Sequence, residues 1–145
     1  TRHGAAYIDE LVAHHVSGQL KLAPEHADPV VLRAMGKPGH EALLDFVKHF
    51  HAANTRHRLK QFLTYYFIAA HPGCGEAEMR ALKHFVTRHL CLSPEQVQIF
   101  TPTPSTWSTA MYYTGIDPFT GQPIHVTRGL RAKQAQKDIL TPRSR

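Results

Sequence analysis

The chain has 145 residues, a formal net charge of +6 and 42% hydrophobic residues. That length and apolar content suit one ordinary domain with a real core and exclude a chain disordered throughout. No run of 18 or more apolar residues occurs, which excludes a membrane-spanning helix on hydropathy alone.

The opening Thr1-Arg2-His3-Gly4 has no initiator methionine and no signal-peptide pattern, so position 1 is expected to be a fragment boundary. Residues 6–16 place Ile8, Leu11, Val12 and Val16 at helical spacing, and Ser17-Gly18 breaks that helix. Residues 19–23 read as a short strand stopped by Pro24. Asp28-Pro29 is a strong helix start, because the aspartate accepts exposed amides and proline in the first turn loses no needed donor. That helix covers 29–35 and ends at Gly36. A second helix spans 39–54, with Ala42, Leu43, Phe46, Val47 and Phe50 as its buried stripe. A basic loop runs from Arg56 to Lys60.

Residues 62–70, Phe-Leu-Thr-Tyr-Tyr-Phe-Ile-Ala-Ala, are the most apolar run and predict a central strand buried on both faces. Pro72-Gly73 ends it. Residues 76–90 predict a helix with Met79, Leu82, Phe85, Val86 and Leu90 inward. Residues 96–101 predict a third strand, closed by Pro102 and Pro104. Helix-filled crossovers of this length join parallel strands. The fold class is therefore α/β, with a three-stranded parallel sheet. Three strands cannot close a barrel, so a sheet edge stays open, and self-association or marginal stability is expected.

After Pro104 the composition shifts. Residues 105–127 are rich in Thr, Ser, Tyr, Gly and Pro and read as irregular, with turns over Gly115–Gly121. The aromatic stretch Trp107 to Tyr113 is expected to cover the open sheet, and a polar helix to occupy 128–139. Residues 128–145 carry Arg128, Arg131, Lys133, Lys137, Arg143 and Arg145 against Asp138, so the basicity sits in the tail. Such a tail attracts phosphates, which makes nucleic acid a possible partner, but it is more often a solvated helix or a disordered end.

Ligands in parallel α/β architectures bind beyond the carboxyl ends of the strands. Here those ends offer Glu25, His26, His71, Thr101 and Thr103. Glu25 stands out, since a carboxylate can pair with an ammonium or a ribose hydroxyl. The twelve histidines lack metal-ligand spacing: His49 and His51 fall on different helix faces, and no H-E-x-x-H or zinc pattern occurs. Gly73-Cys-Gly75-Glu-Ala-Glu78 begins like a dinucleotide turn but ends on glutamate; its amides could face an anion at a helix start. No G-x-S-x-G is present. Cys74 and Cys91 form neither a C-x-x-C pair nor a disulfide framework, which suits a reducing cytoplasm. Two cysteines are also too few for an iron–sulfur site.

Several segments together resemble one family. Leu20-Lys-Leu-Ala-Pro-Glu-His26 with Val31-Leu-Arg-Ala-Met-Gly-Lys-Pro38 resembles the fourth strand and following helix of the radical S-adenosylmethionine barrel. Tyr66-Phe-Ile-Ala-Ala-His-Pro-Gly73 resembles its fifth strand, and Gln96-Val-Gln-Ile-Phe-Thr101 with the prolines after it its sixth. Ser108-Thr-Ala-Met-Tyr-Tyr-Thr-Gly-Ile-Asp-Pro-Phe-Thr-Gly121 looks like the tail of the YgiQ branch. The resemblance implies that residues 1–106 are the second half of the barrel and 107–145 a family-specific extension. It implies a [4Fe–4S] cluster and S-adenosylmethionine as cofactors of the complete protein, with the cluster on a C-x-x-x-C-x-x-C motif absent here. It implies the other barrel half and an unspecified substrate as partners. None of these cofactors is expected on the fragment alone. By the same resemblance Glu25 and His71 would approach the methionine or ribose part of S-adenosylmethionine, and Ile99, Phe100 and Thr101 the adenine.

Overall fold

The computed structural model describes residues 4–92, 94 and 96–141. The elements in chain order are α1 (Gly4–His14), β1 (Gln19–Glu25), α2 (Pro29–Ala34), α3 (His40–His57), β2 (Phe62–Ala69), α4 (Glu76–Phe85), β3 (Val97–Ile99), α5 (Trp107–Thr114) and α6 (Leu130–Leu140). The three strands form one parallel sheet in the order β1-β2-β3. The α/β class and the parallel three-stranded sheet therefore stand. The sheet does not close into a barrel, and β1 and β3 each pair with β2 alone among the described residues.

Local chemistry sets the helix ends. Asp28 Oδ1 accepts the amides of Val30 at 2.9 Å and Val31 at 3.2 Å, with Pro29 in the first turn, as the sequence predicts. The helix α3 runs three residues past its expected end and takes in Arg56 and His57, stopping where Arg58 turns left-handed at φ 57°. Asn54 secures that exit by accepting the Gln61 amide at 3.0 Å. The Gln61 side chain then donates to the carbonyls of Val12 and Val16, tying the end of α1 to the start of β2. The helix over 76–90 is regular only to Phe85. Val86–Leu90 form a widened π turn, whose longer hydrogen-bonded loop brings Leu90 against the core below Val86.

The main core lies on one face of the sheet. Tyr65, Phe67 and Ala69 of β2 pack there with Val97, Val31, Met79, Leu82, Phe85, Val86 and Leu140. A smaller cluster of Ile8, Val12, Phe50 and Ala53 joins α1 to α3. Burial on β2 alternates, with Thr64, Tyr66 and Ile68 only half-buried. The expectation of a strand buried on both faces is thus corrected: helices cover one face and the other is open. The apolar run looks doubly buried because Tyr66 and Ile68 are large and apolar, yet both remain only half-buried. In α3 the expected stripe is also shallower than predicted, with Phe50 buried and Ala42 exposed.

One strand-level correction bears on the rim. Pro24 does not stop β1, because an edge strand can spare a donor. Instead the pairing shifts between Leu22 and Glu25, three residues of β1 spanning two of β2. Such a bulge re-aims the residues that follow it.

The chain after residue 104 is more ordered than its composition suggests. Thr106 caps α5 by accepting the Thr109 amide, and Gly115 ends it at φ 68°, a left-handed conformation suited to glycine. The turns expected over Gly115–Gly121 are present, with Asp117 Oδ1 accepting the Phe119 amide and an isolated bridge between Ile116 and Pro123. The tail helix is present too, as Leu130–Leu140, but it is not a solvated end. Lys133, Gln136 and Leu140 are buried, and the helix packs on α4 and the sheet. Arg143 and Arg145 lie outside the described residues.

Candidate functional site

All three strands point their carboxyl ends to the same rim. A cavity of about 530 Å³ opens there, on the uncovered side of the sheet. Its walls include Glu25, Tyr66, His71, Phe100, Thr101 and Ser108. Ile99 and Thr103 line it as well. Every site residue inferred at the strand ends except His26 therefore meets in one space.

Glu25 reaches the cavity because its backbone takes a left-handed φ of 66° directly after the bulge. A residue with a Cβ adopts that conformation only where the surrounding structure holds it. Lys37 lies beside the carboxylate, 3.3 Å from Oε1, and also donates to the Ala23 carbonyl at 2.9 Å. Both side chains are about a quarter exposed, so the pair is partly screened by solvent. Ala70 at the end of β2 is left-handed too, at φ 60°.

His26, the next residue, turns the opposite way into the core and is 1% exposed. Its Nδ1 accepts the Asp28 amide at 3.0 Å, which leaves the proton on Nε2, 3.5 Å from the Cys74 sulfur. Burial lowers the His26 pKa to about 4, the nearby Asp28 charge opposing this only in part. Burial likewise pushes the Cys74 thiol up to about 12. A nucleophilic cysteine–histidine couple needs a thiolate beside an imidazolium. This pair is neutral on both sides, so it is a packed core contact. His26 is accordingly removed from the site.

His71 is 3% exposed and stands between two partners. Its Nδ1 lies 2.8 Å from the Pro72 carbonyl and its Nε2 2.8 Å from the Ser108 hydroxyl. Burial lowers its pKa, opposed by the Pro72 hydrogen bond. The ring edge packs on Phe100, 5.0 Å between centroids, and Phe100 in turn meets Tyr112 of α5. The helix α5 therefore fastens to the rim at His71, with Met111 fully buried beneath it. Of the stretch Trp107–Tyr113, expected to cover the open sheet, Trp107 and Tyr113 are exposed, while Ser108 lines the cavity together with Tyr66 and Ile68 of the open face. Ser108 is the residue that sequence reasoning missed. A Thr106 cap and a terminating Gly115 were the signal that a helix, and not a loop, would carry it.

Of the four amides of the turn 73–76 expected to face an anion, those of Gly73, Cys74 and Gly75 are already committed within the chain. Gly73 donates to His125 O, Cys74 to His71 O, and Gly75 to the Glu78 carboxylate at 2.8 Å. Glu78, the residue that breaks the dinucleotide pattern, occupies the helix start itself.

Among the described residues no group of three or more His, Cys, Asp or Glu is placed to hold a metal ion. Cys74 is buried and Cys91 exposed. These residues do not fit a [4Fe–4S] cluster, which takes several thiolates converging on one point. Among the described residues no helix is long and apolar enough to cross a membrane.

Comparison with known proteins places the chain among similar sequences. A family described as a domain of unknown function, DUF3362, matches residues 95–144, which include α5 and α6. A UPF0313 protein of Fusobacterium nucleatum is 51% identical over 138 residues, 95% of this chain and 24% of that protein. One from Thermotoga maritima is 48% identical over 132 residues, 91% of this chain and 23% of that protein. One from Geobacter sulfurreducens is 50% identical over 135 residues, 93% of this chain and 22% of that protein. The chain thus spans about a quarter of the length of the curated relatives it matches.

Proposed function

We propose that this chain forms the carboxyl-terminal part of the catalytic barrel of a radical S-adenosylmethionine protein of the YgiQ type. The observation that carries the reading is the cavity at the three parallel strand ends, on a sheet whose second face and outer edges are uncovered among the described residues. A parallel sheet is normally covered on both sides. Here the open face carries Lys21 over the Tyr66 ring at 5.5 Å and a hydrogen bond from Gln19 to Thr64, polar pairs suited to a lumen. Beside the free edge of β1 an apolar groove of about 240 Å³ runs between the strand and α3, lined by Leu22, Leu43 and Phe46. A further strand–helix unit would fill both, and relatives four times as long have the chain to supply it.

In this reading Glu25, His71, Ile99, Phe100 and Thr101 hold S-adenosylmethionine, with Tyr66 in the same wall. A cluster held by other parts of the complete protein would supply one electron for cleavage of S-adenosylmethionine into methionine and a 5′-deoxyadenosyl radical. The residues described here bind and orient S-adenosylmethionine, Glu25 and His71 at its methionine or ribose part and Ile99, Phe100 and Thr101 at its adenine.

The test uses the complete protein, reconstituted anaerobically with iron and sulfide, reduced, and given S-adenosylmethionine. Formation of 5′-deoxyadenosine that vanishes when the cluster cysteines are changed is the expected result. A fully assembled cluster that yields none, with or without candidate substrates, would overturn the reading.

A further inference from the structure

The acceptor character of the rim follows from one fixed proton. A carbonyl can only accept, so the 2.8 Å contact with Pro72 O puts the proton of His71 on Nδ1. The neutral ring then offers a lone pair at Nε2, and Ser108, 2.8 Å away, must donate to it. The Ser108 hydroxyl proton is therefore committed. What its oxygen presents to the cavity is lone pairs alone. Burial, which lowers the His71 pKa, holds the ring in this neutral state.

The remaining polar wall is mixed, with Gln98 and Thr103 carrying donors as well as acceptors. Glu25 is the only charged side chain lining the cavity among the described residues; its carboxylate is paired with Lys37 and adds acceptor oxygens. Tyr66 and Phe100 supply apolar surface on which a ring can rest. A committed acceptor at Ser108 beside this ring surface suits a ligand that brings a hydroxyl donor next to a ring.

We propose that Ser108, oriented by His71, is a ligand-binding residue that accepts a hydrogen bond from a hydroxyl of a sugar-bearing ligand, either a nucleoside or a free sugar. This rests on the reading above only in placing the ligand in that cavity. It assigns to α5, within the DUF3362 match, a direct part in the strand-end site.

The test is calorimetric titration of the complete protein with three probes: adenosine, 2′,3′-dideoxyadenosine and ribose. Wild-type protein is expected to bind adenosine at least about tenfold more tightly than the dideoxy compound, the worth of one well-made hydrogen bond. Ser108→Ala is expected to shrink that preference about tenfold, and Ser108→Thr, which keeps the hydroxyl, to restore most of it. Binding of ribose that also depends on Ser108 identifies the free sugar as a ligand; binding of adenosine alone identifies the nucleoside. Equal affinity for the two nucleosides, an undiminished preference in Ser108→Ala, or no binding of either adenosine or ribose overturns the proposal. Imidazole ¹⁵N shifts of the wild-type protein give a check that needs no variant: Nδ1 protonated and Nε2 bare is expected, and a proton on Nε2 sinks it. Since none of these readouts needs cleavage of S-adenosylmethionine, failure of the radical reading and failure of this one are separable.

Discussion

The side-chain carbonyl of Gln136 accepts the backbone N–H of Ala70 at 3.0 Å, joining the last helix to the carboxyl end of the middle strand. The same amide group donates to Cys74 O at 3.3 Å and to Thr127 Oγ1 at 2.8 Å. Gln136 is 3% exposed, and the Ala70 it holds is left-handed. One glutamine thus satisfies two buried backbone groups where the chain leaves β2 for the rim. Gln136→Leu keeps the volume but strands both. An unpartnered buried polar group costs about 1–3 kcal/mol, so the substitution is expected to cost about 2–4 kcal/mol, read from urea midpoints. Ala70→Gly should act in the other direction, gaining up to about 1 kcal/mol because glycine takes a left-handed φ without penalty. No loss in Gln136→Leu would show that water replaces the glutamine.

His26 predicts a pH dependence. Its folded pKa, about 4, lies below the ordinary histidine value of 6.5, so the unfolded chain binds the proton more readily. Stability is then fully present above pH 6.5 and is lost as pH falls from there toward 4. A shift of that size corresponds to at most about 3 kcal/mol. His71, also lowered, acts with the same sign. Denaturant titrations at pH 7.5, 6, 5 and 4.5 should show the decline, and His26→Gln should flatten it while costing stability at pH 7.5. An unchanged slope in that variant would assign the acid sensitivity elsewhere.

Much of this arrangement is legible in the residues. Asp28-Pro29, the apolar stripe of α4 and the three strand-end prolines locate the parallel sheet and bring Glu25, His71, Ile99, Phe100 and Thr101 to one rim. What the residues hide is partnering. Tyr66 and Ile68 look like core because hydropathy does not say which face is covered. His26 looks like rim because a bulge and a left-handed residue turn it inward, and neither has a marked sequence signature. Lys133 looks like a solvated tail cation, yet it is buried, with Nζ 3.0 Å from the Tyr112 hydroxyl. Spacing along one helix cannot show that an aromatic ring from another will receive its charge.

The two cysteines should separate cleanly in reactivity. Cys74 is fully buried and its thiol is pushed up to about 12, while Cys91 is exposed. The thiolate is the reactive form. With an aromatic disulfide reagent at pH 8, the folded chain should release one equivalent quickly and the second only on unfolding. Two fast equivalents would mean that the turn around Cys74 opens readily, against the packing with His26 and Gln136.

Glu25 predicts a division between stability and function. Its left-handed backbone at φ 66° disfavours any residue with a Cβ by about 1–2 kcal/mol. Its ion pair with Lys37 returns little of that, being partly exposed and so worth about 1 kcal/mol or less. Glu25→Gly should therefore leave the melting temperature unchanged or raise it, by up to about 1 kcal/mol in stability. Glu25→Gln keeps the strain and loses the charge, and should be neutral to slightly destabilising. In the complete protein both are expected to weaken S-adenosylmethionine binding about tenfold or more, as loss of a charged hydrogen-bond acceptor does. Strain retained at a strand end makes sense where the side chain it carries is used. A Glu25→Gly protein that melts several degrees lower would instead make the carboxylate a structural residue. One that binds S-adenosylmethionine as the wild type does would remove Glu25 from the site.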